Sequence, residues 1–215
     1  MKLKSLQLSQ VKTIETRGSG EWWDKTWTTG FYKTPVAGAV WLRYEGLKGD
    51  EQSNRAEHGG SDKAVCVYTN HHYPHWESII TDMSAGAFGE NLTVEGMLEE
   101  GVRIGDVYEI GECLVQISQP RQPCWKLARR WRIKDLTKQV EQTGFTGFYF
   151  RVLRHGFIEA GQKFKLIEKG EEKWTVAKCN KLMHHDRKNL TEIQELCDYQ
   201  PLSANWKDNL YTRLV

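Results

Sequence analysis

Residues 101–126 read GVRIGDVYEIGECLVQISQPRQPCWK. Two short apolar-alternating runs, Val107–Ile110 and Glu112–Ser118, follow the polar turn Gly101–Asp106 and lead into a proline-flanked cysteine. Short strands punctuated by glycine-bearing turns are the pattern of a barrel or sandwich, not of a parallel α/β sheet. The pattern extends both ways along the chain. Leu3–Val11, Val36–Tyr44, Lys63–Thr69, Asn91–Glu95, Phe148–Leu153 and Gln162–Ile167 are further expected strands, broken by Gly46–Asp50, Gly59–Gly60 and Gly144–Gly147. Helical inserts are expected at Tyr73–Thr81 and Trp125–Gln142. The fold class is therefore mainly β.

After Glu168 the apolar period changes to 3.6. Residues 1–168 are expected to form the β domain and 173–215 a three-helix domain, with Lys169–Glu172 between them. Val176, Cys179, Leu182 and Met183 share one side of the first helix. Asn189-Leu190-Thr191-Glu192 is a capping-box start, and Ser203 is placed to cap a last helix carrying Trp206, Leu210 and Leu214. Three short amphipathic helices must pack on one another to be stable.

Nine tryptophans and 39% hydrophobic residues argue for a packed core. The formal net charge of +2 gives no global attraction for nucleic acid or an anionic membrane, so any anion site is local. No apolar stretch is long enough to span a bilayer, and the N-terminus lacks a signal-peptide core, which leads to an expectation of a cytoplasmic protein. The five cysteines are odd in number and contain no CxxC pair, so they form neither a disulfide framework nor a zinc ribbon. Cys66, Cys113, Cys179 and Cys197 lie in apolar patterns and read as core.

Cys124 differs. Pro120 and Pro123 stiffen its approach, and Arg121, Lys126, Arg129, Arg130 and Arg132 surround it in sequence. Nearby cations favour the thiolate, the form that attacks electrophiles and ligates metals, and a helix starting near Trp125 would add its dipole. An inert thiol in the same setting is the competing reading.

Two other segments can carry chemistry. His58-Gly59-Gly60 places an imidazole beside backbone free of Cβ atoms, where a ligand can approach and N–H groups can form an anion nest; Arg55 and Lys63 add donors suited to phosphate. The same stretch also reads as a solvated Gly-Gly turn. Glu90-Asn91 follows Gly89 at a strand entry, and the Asn91 amide can pair with a heterocycle edge or with local backbone. His71-His72-x-x-His75 has metal-like spacing without a completing ligand set and reads as a solvated helix start. His184-His185 reads as cationic groups closing a helix, and Arg129-Arg130-Trp131-Arg132 as a solvated or ligand-facing helix.

Taken together, Gly49-Asp50-Glu51-Gln52, His58-Gly59-Gly60-x-Asp62-Lys63-Ala64-Val65, Phe88-Gly89-Glu90-Asn91-Leu92-Thr93, Ile104-Gly105-Asp106, Ser118 through Lys126, and Thr146-Gly147-Phe148-Tyr149-x-Arg151-Val152-Leu153 resemble the MOSC family, the C-terminal domain type of molybdenum cofactor sulfurases. The resemblance is to stand-alone bacterial members with a C-terminal three-helix domain, similar to 6-N-hydroxylaminopurine resistance proteins. It covers essentially the whole chain. It implies a MOSC-type β-barrel and a pocket for the molybdenum cofactor (molybdopterin), with Cys124 as metal ligand or sulfur carrier. Sulfurases also carry a pyridoxal-phosphate lyase domain, for which this chain has no room.

The chemistry of these segments agrees with that role for Cys124: Arg55, Gly59, Gly60, Asp62, Lys63, Asn91, Gln119, Arg121 and Lys126 are the expected cofactor contacts, with Cys124 and His58 catalytic and His58 moving a proton. The activity expected is reduction of N-hydroxylated compounds, with hydroxylaminopurine-type bases as substrate class. Electrons would come from a partner reductase of flavoprotein or iron–sulfur type. No membrane and no specific nucleic acid are expected as partners, and a homodimer is left open. The alternative is a persulfide carrier, or a cofactor carrier without turnover.

Overall fold

A computed structural model describes residues 1–54 and 59–214. Its strands are β1 (Lys2–Leu8), β2 (Lys12–Ile14), β3 (Trp27–Thr29), β4 (Thr34–Pro35), β5 (Val40–Arg43), β6 (Gly46–Leu47), β7 (Val65–Thr69), β8 (Leu92–Glu95), β9 (Val107–Ile110), β10 (Cys113–Pro120), β11 (Phe148–Arg154), β12 (Gly156–Ile158) and β13 (Lys165–Glu168). Eight of them make one sheet in the order β13-β9-β10-β11-β7-β8-β1-β4. Every neighbouring pair is antiparallel except β7 and β8, which are parallel. Bulges between Leu3 and Ser5 in β1 and between Ile117 and Gln119 in β10 curl the sheet. The curl brings β1 back toward the approach to β13, where Leu3 N donates to Gln162 O (2.9 Å) and Gly161 N to Leu3 O (2.7 Å). The result is a mixed half-barrel. Smaller sheets, β12-β5-β6 and β2-β3, flank it.

The helices are α1 (Tyr73–Trp76), α2 (Trp125–Trp131), α3 (Leu136–Thr143), α4 (Val176–His184), α5 (Leu190–Asp198) and α6 (Ala204–Tyr211). The expected helix over Trp125–Gln142 is two helices. Arg132 turns left-handed at φ 58°, and its N–H and that of Ile133 both close on Ala128 O, which ends α2. No glycine marks that stop. The insert expected over Tyr73–Thr81 keeps only one α-helical turn, preceded by a 3-10 turn at Asn70–His72.

Interior residues of the strands (Leu3, Leu6, Val65, Val67, Val115, Ile117, Phe148, Phe150) and the apolar faces of α4–α6 (Val176, Cys179, Leu182, Ile193, Leu196, Trp206, Leu210) form one continuous core. The C-terminal caps are those expected. Asn189 Oδ1 accepts from Glu192 N (3.3 Å), and Ser203 Oγ accepts from Trp206 N (3.3 Å). A second, aromatic cluster (Trp27, Phe31, Tyr68, Trp76, Phe88, Leu127, Leu136, Val140) lies outside the first core. Cys124 lies just before α2, one of the helices that contribute to it.

Two expectations about histidines change. His72 is buried, not solvated: its Nε2 lies 2.7 Å from Glu99 Oε2, and its ring stacks on Phe145 at 3.9 Å. His184 is no cationic cap; burial lowers it to about 4, leaving it neutral near pH 7.

A cleft between two cysteines

The strand pleat decides which residues meet. In β7, Val65 and Val67 enter the main core, so Cys66 must face the other way. Its antiparallel partner in β11 is Tyr149, between core residues Phe148 and Phe150. Cys66 and Tyr149 therefore line a solvent-open cleft, together with Thr29, Gly30, Phe31, Lys33, Phe88, Gly89, Asn91, Arg121, Cys124 and Lys126. Two glycines let its walls close. A Cβ on Gly30 would stand 2.2 Å from Glu51 O, and one on Gly89 (φ +74°) 2.8 Å from the Phe31 ring.

Cys124 is the half-buried cysteine; the other four are buried. It occupies the N-cap position of α2 with φ −116° and ψ 163°, and its sulfur makes no capping hydrogen bond. Its carbonyl accepts from Leu127 N (3.1 Å) and Thr137 Oγ1 (3.2 Å), so the backbone is pinned while the thiol is left to the cleft. Helix α2 has only seven residues, less than the sequence suggested. Burial raises the Cys66 thiol and holds the Tyr149 phenol well above its usual range, so both keep their protons near neutral pH.

Arg121 is 4% exposed. Its backbone N–H donates to Gly147 O (3.0 Å), but its Nη1 is buried with no hydrogen-bond partner among the described residues. It belongs to none of the ion pairs found there. Burial opposes its charge, but neighbouring acidic groups (Cys66, Tyr149 and Cys124 where ionised, and the Glu90 carboxylate) outweigh it and hold the guanidinium above its usual range. With Cys66 and Tyr149 protonated, the charge that favours the guanidinium comes from the buried Glu90 carboxylate, and no carboxylate among the described residues forms an ion pair with it. Lys33, by contrast, pairs through its Nζ with Asp50 at 2.5 Å. Lys126 reaches Ser53 Oγ (2.9 Å), and burial lowers its ammonium despite the nearby Cys124.

The other anticipated residues divide. Asn91 lines the cleft, yet its amide is engaged by protein: Oδ1 accepts from Cys66 N (3.2 Å) and Nδ2 donates to Asp50 Oδ2 (2.8 Å). Its structure thus follows the local-backbone alternative. Asp62 and Gln119 point to the C-terminal helices. Asp62 pairs with Arg151 (2.8 Å) and accepts from Ala204 N (3.3 Å), while Gln119 Oε1 accepts from Ser203 Oγ (2.7 Å). Gly60 (φ 93°) starts the 3-10 turn Ser61–Lys63. Neither it, Gly59 nor Lys63 is among the described residues lining the cleft. Arg55 and His58 lie outside the described residues. Sequence reasoning overlooked Cys66, Tyr149 and Lys33. The alternation of core valines around Cys66 was the available signal for it.

A molybdenum site would need ligands. Among the described residues no group of three or more His, Cys, Asp or Glu side chains could hold a metal ion. A metal at Cys124 would thus have to bring its remaining ligands with it, as a metal carried by an organic dithiolene does. One half-buried thiol beside a buried guanidinium whose Nη1 has no hydrogen-bond partner among the described residues fits an anionic, metal-bearing cofactor.

Comparison with known proteins agrees with this architecture. Residues 54–165 match the MOSC domain model, and residues 174–214 match the YiiM-like, 3-alpha helix domain model. The protein YflK of Bacillus subtilis (strain 168) is 46% identical over 204 residues, covering 94% of this chain and 90% of that one. A protein named "Reductase" from Gibberella moniliformis is 34% identical over 87% of this chain but only 34% of its own length. The crystal structure of YiiM from Geobacillus stearothermophilus superposes with a TM-score of 0.83 at 37% identity, covering 100% of this chain and 99% of that one. With its half-barrel, its three C-terminal helices and its cysteine-bearing cleft, the chain belongs to the MOSC family, in the form that carries a YiiM-like 3-alpha helix domain.

Proposed function

We propose that this chain binds the molybdenum cofactor in the cleft, with Cys124 as the protein's ligand to the metal, and reduces N-hydroxylated compounds. The observation that carries the reading is the buried Arg121 guanidinium, whose Nη1 has no hydrogen-bond partner among the described residues, lining the same cleft as the half-buried Cys124. Arg121 and Lys126 would hold the cofactor's phosphate and balance its charge. The bound cofactor supplies two-electron redox chemistry.

The overall change is R–NHOH + 2e⁻ + 2H⁺ → R–NH₂ + H₂O. The protein's part is to seat the substrate and to supply protons where the N–O bond breaks. Burial eases proton loss from the Lys126 ammonium, which suits it to donate. The Tyr149 phenol keeps its proton and can hydrogen-bond the departing oxygen. His58, outside the described residues, remains part of the proposal as a proton carrier.

The electrons need a donor. In the fungal protein the matching segment is about a third of a longer chain named for reductase activity. That supports a separate reductase as this chain's partner.

The test is metal content and turnover. Protein purified from a molybdenum-replete host should hold molybdenum near stoichiometry, and Cys124→Ser should lose it. The loaded protein, given an artificial reductant and 6-N-hydroxylaminopurine, should yield adenine. Equal, substoichiometric metal in both proteins removes the reading. A mass increase of one sulfur on the Cys124 peptide, with no metal, replaces it with the persulfide carrier.

A further inference from the structure

The basic run Arg129 to Arg132 does not line the cleft. Helix α2 instead builds a ridge of rings and cations from Cys124 outward. Arg129 lies over Trp125 at 4.5 Å and also faces Trp27 (5.8 Å) and Trp22 (6.0 Å). Trp125 and Trp27 meet at 5.5 Å, and Trp27 continues to Tyr32 at 6.3 Å. Tyr32 in turn has Arg130 over its ring at 4.2 Å and Lys12 at 4.4 Å. The ridge adjoins the cleft at two points: Trp125 follows Cys124 directly, and Trp27 begins the strand whose last residue, Thr29, lines the cleft wall.

Two features exceed what structural pinning requires. The Trp125 indole is 47% exposed, although it sits at the start of a helix whose Leu127 and Ala128 are fully buried. The cations also lack carboxylate partners among the described residues, although Arg129 Nη2 donates to Trp22 O (2.9 Å). None of Lys12, Arg129 and Arg130 belongs to an ion pair with a carboxylate among the described residues, and Arg129 Nε is buried without a partner. An exposed indole is a stacking platform for a planar heterocycle, and guanidinium groups meet phosphate by charge-assisted hydrogen bonds. Rings interleaved with cations that lack a carboxylate partner among the described residues suit a ligand that carries both a planar ring and a phosphate.

We propose that this ridge is a subsite for a purine nucleotide, with the ring stacked on Trp125 and the phosphate met by Arg129 and Arg130. Its assignment to the substrate rests on the function proposed above: the N-hydroxylated base would arrive as its nucleotide, and Trp125 would hold the ring at the mouth of the Cys124 cleft. The binding itself needs neither metal nor reductant.

The experiment is calorimetric titration of the full chain, without added metal or reductant, with adenosine 5′-monophosphate, adenine and ribose 5-phosphate. Adenosine 5′-monophosphate should bind at least about tenfold more tightly than either fragment. Trp125→Ala should weaken it by on the order of tenfold or more, the scale of losing one base–aromatic stack, and Trp125→Phe should retain most of the affinity. Arg130→Gln should weaken the nucleotide but not adenine.

Absence of saturable nucleotide binding by the wild type overturns the proposal. So does equal binding of the nucleotide and ribose 5-phosphate, since a bare anion site would then suffice. A Trp125→Ala variant that loses thermal stability but not affinity overturns it too, by assigning the ridge to packing. The fragment comparison is made on wild type and survives misfolding of any variant. Failure here leaves the metal-content result standing, and failure of metal loading leaves this titration standing.

Discussion

Replacing Arg121 with methionine should make the ligand-free protein more stable while removing the anion response of the cleft. Arg121 is 4% exposed with Nη1 unpartnered. A buried donor left unsatisfied costs about 1–3 kcal/mol. Methionine keeps most of the apolar stem without that unsatisfied donor, and the backbone bond from residue 121 to Gly147 O is retained. The expected gain is about 1–3 kcal/mol. For a chain of this size, about 2–4 °C in Tm accompanies each kcal/mol, so Tm should rise by roughly 2–12 °C in phosphate-free buffer. The wild type should recover stability with inorganic phosphate, by about 2.7 kcal/mol at 100 times Kd, and Arg121→Met should not. Thermal unfolding followed by circular dichroism at matched ionic strength measures both. A variant less stable than wild type without phosphate, and still stabilised by phosphate to the same extent, refutes the idea that Arg121 waits for an anion.

Three further outcomes follow from described contacts. Iodoacetamide should label one thiol per native chain, at Cys124, and none in Cys124→Ser, as counted by intact-mass spectrometry; the other four thiols are buried. Ser203→Ala should cost about 0.5–2 kcal/mol for the lost cap and a further 1–3 kcal/mol for the stranded buried Gln119 oxygen, read from urea unfolding. Asp24 accepts from the backbone N–H groups of Ser19 and Arg17, which hold its carboxyl down at about 2. A lowered folded-state value means its contribution is full above about pH 4 and is lost as pH falls toward 2; Asp24→Asn should flatten the Tm–pH curve across that window.

The strand periodicity around residues 101–118 and the change to a 3.6 period after Glu168 were enough to read a curled β domain followed by three helices. Those patterns come from burial on one face, which sequence records directly. Short pieces such as β2, β4 and β6 escaped because two or three residues carry no period; their partners are what make them strands. The break in the helix after Trp131 escaped because it relies on an arginine in the left-handed region instead of a glycine. At the site, Cys124 and Arg121 stood out by their prolines and charges. Cys66 and Tyr149 did not, because a residue in a doubly covered strand looks like core until the cavity on its far side is seen. Asp62 and Gln119 carried the family pattern, yet their contacts run to α6, a distinction that depends on where a distant helix docks.

That docking has a consequence for modularity. Since α4–α6 and the half-barrel bury the same apolar residues, cutting the chain near residue 168 would expose hydrocarbon on both fragments and release Ser118, Gln119 and Asp62 from their anchors. In this chain the helical segment is therefore part of the barrel's structural support, and its loss would be felt first at the outer end of β10 that leads to Cys124.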